Sequence, residues 1–114
     1  MKIVGEKISL EELKQLAEET FGDLLKATVD VAKEIMVIGG ELHSDQEAVL
    51  LSTGSSQKDI WGINLYPDKY PQDNWLEFDS IINLRPSFGN KTRGIDNPEI
   101  RKKIIEIVNK LIVG

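Results

Sequence analysis

The chain has 114 residues, no cysteine, one histidine (His43) and a net charge of −5 at pH 7, with 40% apolar and 29% charged residues. That length fits one core and one domain, residues 1–114, and the composition is that of a globular chain, not a disordered one. The missing thiols exclude disulfides, thiolate zinc centres, iron–sulfur clusters and a cysteine nucleophile, and the acidic balance argues against general nucleic-acid binding.

Ser9-Leu10-Glu11-Glu12 is a capping box, with Ile8 and Leu13 placed for a hydrophobic staple. Leu10, Leu13, Leu16, Ala17 and Phe21 form one stripe, so the spacing predicts a helix over 10–21, stopped by Gly22. Residues 24–38 fit two patterns. As a helix, Leu25, Val29, Ala32 and Met36 share a face. As a hairpin, Leu25, Ala27, Val29 and Val31 alternate with polar residues, Ala32-Lys33-Glu34 is the turn, and Ile35–Ile38 (IMVI) returns. The β-branched content favours the hairpin, although the turn lacks Gly or Asn.

Ser44-Asp45-Gln46-Glu47 is a second capping box, predicting a helix over 45–52 with Gly54 as its stop. Residues 60–66 and 75–85 read as strands joined by a loop of turn-forming residues. Trp61, Ile63 and Leu65 share one face of the first; Leu76, Phe78, Ile82 and Leu84 share the core face of the second. Tyr66 opposite Trp75 puts Leu65 across from Leu76, and Asn64 across from Glu77. Residues 86–96 are loop. Asn97 caps a last helix that Pro98 opens and that runs to about Ile112 on the stripe Ile100, Ile104, Ile107, Val108 and Leu111. The order α-β-β-α-β-β-α predicts an α+β fold: a four-stranded, largely antiparallel sheet with its helices packed on one face.

On that plan Asn64, Glu77, Asp79, Asn83 and Arg85 line the face away from the helices and lead into a loop holding Asn90, Lys91 and Arg93. Two readings stand: a site for a polar or anionic ligand, or the wetted side of a one-sided sheet. The charge distribution favours looking there. Residues 1–84 carry 7 Lys and Arg against 16 Asp and Glu, whereas residues 85–114 carry 7 against 3. Glu41, His43 and Asp45 would share one side of an extended segment as a mixed nitrogen and oxygen metal site, or His43 would be a local hydrogen-bonding residue. A hydrolase would need His43, or Asp79 with Glu77, with or without a divalent metal. The identity of any cofactor is not read from the sequence. IMVI, apolar on both faces, and Trp75 suggest a homodimer or other partner contact. No apolar run has the length of a membrane span, and the early Glu6, Glu11 and Glu12 argue against a signal segment, so a cytoplasmic protein is expected.

The segments GGELHSD, DIWGINLYP, EFDSIINLRPSFGN and NPEIRKKI, taken together in this order, resemble a small prokaryotic domain family of unknown function over about Lys2 to Leu111. The resemblance implies a stand-alone cytoplasmic protein of this size. It carries over no catalytic role, but it makes these segments the place to look for a site.

Overall fold

The computed structural model describes residues 1–114. In chain order the elements are β1 (Lys2–Val4), β2 (Ile8–Ser9), α1 (Leu10–Glu19), β3 (Leu25–Asp30), β4 (Ile35–Ile38), α2 (His43–Ser52), β5 (Ile60–Leu65), β6 (Leu76–Glu77), α3 (Pro98–Leu111) and β7 (Ile112–Val113). The fold is α+β. Its main sheet has five antiparallel strands in the order β1-β4-β3-β5-β6, and β2 pairs with β7 in a separate parallel pair. No helix is long and apolar enough to cross a membrane.

Local signals set most of these elements. Ser9 Oγ accepts the Glu12 amide at 3.1 Å, and Ile8 and Leu13 are both buried, so cap and staple form. The Glu12 carboxylate does not close the box; it takes the Lys2 ammonium at 2.7 Å. The hairpin β3–β4 turns without Gly or Asn because Asp30 supplies the turn. Its Oδ1 accepts the Ala32 and Lys33 amides at 2.9 and 3.0 Å, and Glu34 takes a φ of 58°. At α3, Asn97 Oδ1 accepts the Glu99 amide at 2.9 Å, with Pro98 in the first turn.

The helices lie on both faces of the sheet, not one. Leu25, Ala27, Val29, Met36, Ile38, Trp61, Ile63 and Leu65 join α1 and α3 residues in the large core. On the opposite face Val37, Leu50 and Ile60 form a second cluster with Ile35, Val49 and Ile82, which packs α2 there. That face takes a helix despite its polar residues because they are paired. Thr28 Oγ1 donates to Gln46 Oε1 at 2.8 Å, and Gln46 Nε2 donates to the Lys26 and Gly39 carbonyls at 2.9 and 2.7 Å. The IMVI strand is therefore covered on both faces by the chain itself. Helix α2 also begins at His43, ahead of the expected start, and Leu42 at its N-cap position offers no side-chain bond. The second capping box does not form.

The register of β5 with β6 is the predicted one: Asn64 faces Glu77, Leu65 faces Leu76, and the Tyr66 amide donates to the Trp75 carbonyl at 2.7 Å. The strand nevertheless stops at Glu77, and residues 81–83 wind into a 3₁₀ turn. Asn83 replaces the missing strand. Its Oδ1 accepts the Gly62 amide at 2.8 Å and its Nδ2 donates to the Gly62 carbonyl at 2.9 Å, two bonds a neighbouring backbone would have made. The core face expected for residues 75–85 is corrected accordingly. Leu76 and Phe78 pack on the large core, Ile82 turns to the α2 side, and Leu84 is 41% exposed. Trp75 is buried against Tyr70, edge-on at 4.9 Å, and is not an exposed anchor. The short strands β1, β2 and β7 were not predicted.

Candidate functional site

Most of the polar row is committed to holding the chain. Asn64 is buried, and its Nδ2 donates to Glu77 Oε1 at 2.9 Å and to the Asp79 carbonyl at 3.2 Å. Asn83, besides clasping Gly62, donates to the Arg93 carbonyl at 3.0 Å. Asn90 folds the loop around one amide. Its Nδ2 reaches the Asn83, Thr92 and Gly94 carbonyls at 2.6, 3.1 and 2.8 Å, and its Oδ1 accepts the Asp96 amide at 2.8 Å.

Arg85 is 9% exposed. Its guanidinium donates to the Gln57 and Ile60 carbonyls and stacks 4.3 Å from the centre of the Trp61 ring. Loss of water lowers its pKa, with the Glu47 carboxylate acting the other way. Asp79 and Arg93 form an exposed ion pair at 2.8 Å. Lys91 is exposed, and its backbone amide donates to Asp96 Oδ2 at 2.8 Å. Hydrogen bonds thus link Asn64, Asp79, Arg93, Asn83 and Asn90 into one network, while the side chains of Arg85 and Lys91 lie outside it.

A cleft lies beside the loop, and of the seven only Asn90 lines it. A cavity of about 350 Å³ lies between Lys58 and Trp61 at the start of β5, Phe88 in a 3₁₀ turn, Asp96, and Asn97 and Ile100 at the head of α3. Gly89, with φ 83°, ends that 3₁₀ turn where a Cβ would be strained. Phe88 is 55% exposed, with the Arg85 guanidinium 5.7 Å from its ring centre. Lys58 makes no ion pair. Trp61 Nε1 and Arg85 Nε are buried donors with no acceptor. Asp96 is already engaged: Lys91 N–H and Thr92 O–H donate to its two oxygens and hold its carboxyl below the usual carboxylate range. Asn90 touches this cavity from the predicted set, and Arg85 backs it through Trp61. Lys58, Phe88 and Asn97 were missed. Phe88 carried a signal, an aromatic ring set among polar loop residues; Lys58 carried none. A second cavity, of about 310 Å³ and lined by Tyr70, Trp75, Leu76, Phe78 and Ile105 among others, has no cationic lining.

His43 is not grouped with Glu41 and Asp45. It is buried, and its Nε2–H points at the Ile63 carbonyl at 2.7 Å. Burial lowers its pKa, with the Ile63 bond acting the other way. No three His, Asp or Glu side chains are grouped to hold a metal ion. The expected Glu41, His43, Asp45 constellation needed an extended segment. Because α2 begins at His43, residues 43 and 45 no longer share a side. His43 makes no hydrogen bond to Glu77 or Asp79 either.

A family model described as "Protein of unknown function (DUF5674)" matches residues 2–111. No curated protein and no solved structure matches the chain.

Proposed function

We propose, for a chain that belongs to this family of unknown function, that it is a binding domain for a small anionic ligand held in the cleft between Lys58, Trp61, Phe88 and the head of α3. The observation that carries this reading is a pair of buried donors without acceptors, on Trp61, which lines the cleft, and on Arg85, which stacks on Trp61; the buried acceptors without donors, Glu47 Oε2 and Asn64 Oδ1, belong to residues outside the lining. Lys58, in the same lining, makes no ion pair, and the Asp96 carboxylate there is already held by Lys91 N–H and Thr92 O–H. A buried unmet donor costs about 1–3 kcal/mol, so such groups concentrate where something else completes them. The fourteen-residue helix α3 adds its positive end to the same wall. The reading assigns Arg85, Asn83 and Asn90 to building the cleft, and leaves Asn64, Asp79 and Arg93 outside it.

The test is a nuclear magnetic resonance titration with inorganic phosphate at low salt. Shifts are expected at Lys58, the Trp61 indole, Phe88 and Asn97. Lys58→Gln should weaken binding severalfold and Arg93→Gln should not. Shifts centred on His43 and Asp79 would move the site to the sheet's edge; no saturable shift at all would end the proposal.

A further inference from the structure

The cleft has more character than a patch of positive charge. Phe88 holds an exposed ring at its mouth, on a loop that is otherwise polar, with Arg85 near one part of that ring. An open aromatic ring beside a guanidinium is a surface on which a flat ring stacks. The charges of the walls also differ. Lys58 comes from the turn before β5, while Asp96 comes from the loop before α3. Each Asp96 oxygen accepts one bond within the loop, and a carboxylate has room for more. Asn97 uses its Oδ1 on the Glu99 amide and has no partner for its Nδ2 donors. One wall therefore suits an anion, and another suits a group that both donates and accepts. The volume, about 350 Å³, is at the low end of small-molecule sites and limits the ligand to one ring system with one short anionic arm.

Resting on the anion-binding reading of this same cleft, we infer that the ligand is a planar, amino-bearing heteroaromatic ring carrying a single phosphate, the chemistry of an adenine mononucleotide. The ring stacks on Phe88, the phosphate lies at Lys58, the exocyclic amine donates to Asp96, and the ring nitrogen next to it accepts from Asn97 Nδ2. The amine distinguishes this class from other aromatic anions, since Asp96 accepts from an N–H and repels a carbonyl oxygen.

Calorimetric titrations of the full chain at low salt with four probes test this. They are adenosine 5′-monophosphate, inosine 5′-monophosphate, adenosine and inorganic phosphate. The adenine nucleotide should bind at least roughly tenfold more tightly than each of the others, about the weight of one stacked base or one lost hydrogen-bonded pair. Phe88→Ala, an exposed substitution, should cost the adenine nucleotide a similar factor; no loss there overturns the stacking. Phosphate binding as tightly as the nucleotide overturns this inference and leaves the anion-binding reading standing. Equal binding of the inosine nucleotide overturns the role of the amine. Adenosine binding as tightly as its phosphate ester, or no probe binding, overturns the anion-binding reading and this inference with it.

Discussion

Asn83 shows how a residue on a polar sheet face can be structural and still resemble a site. Its amide is fully buried and bonds both polar groups of the Gly62 backbone. Asn83→Ala would strand a buried N–H and a buried C=O, each worth about 1–3 kcal/mol when unmet, so a loss of roughly 2–4 kcal/mol is expected in urea unfolding. Arg93→Ala removes only an exposed ion pair to Asp79, and should change stability by no more than about 0.5 kcal/mol. Equal effects of the two substitutions would mean that Asn83 is not holding the strand end. From the sequence both are candidate ligand residues, Arg93 as a loop cation and Asn83 by an alternation that reports which side a residue faces and not whether another part of the chain covers that side. Asn64, Asn83 and Arg85 read as one row for that reason, with Asn90 in the loop that follows. Lys58 and Phe88, thirty positions apart, meet only through the fold.

At the scale of elements, α1, α3 and the β3–β4 hairpin were legible because their signals are local: a Ser9 cap, an Asn97 cap before Pro98, and alternation through Leu25, Ala27 and Val29. The end of β6 was not, since Asn83 terminates it from a distance. The placement of α2 was not legible either, because Thr28 and Gln46 are polar residues that become compatible with burial only when paired with each other. Gly62 was the one hint that something approaches β5 closely. A Cβ there would lie 2.6 Å from Ser80 Cβ and 3.1 Å from His43 Cδ2. Gly62→Ala is therefore expected to lower stability by about 1–3 kcal/mol, the usual range for overpacking. Ser80→Gly, which removes the nearest atoms, should recover part of that loss in the double variant. A purely additive double variant would show that the clash lies elsewhere.

At the scale of the whole molecule, the sheet is covered from both sides by helices whose fastenings titrate in different ranges. Glu34, at the hairpin turn, receives Lys103 and Lys110 of α3 at 3.0 and 3.2 Å; bonds from these ammonium groups lower its pKa. A carboxyl with a depressed folded pKa adds stability above its unfolded pKa, and that contribution disappears as pH falls through the folded value. His43, which ties the start of α2 to β5, behaves differently. Burial lowers its folded pKa, so between the folded and unfolded values the unfolded chain binds more protons. Stability should therefore be level above neutrality and decline as pH falls through the unfolded histidine value of about 6.5, well before the carboxylates respond. His43→Gln keeps a donor for the Ile63 carbonyl and cannot titrate. Urea unfolding at intervals from about pH 8 to 5 should show the parent losing stability where the variant stays level. With His43 the only histidine in the chain, a parallel decline in both proteins would assign the acid sensitivity to the carboxylates, and remove His43 as the group that couples α2 to pH.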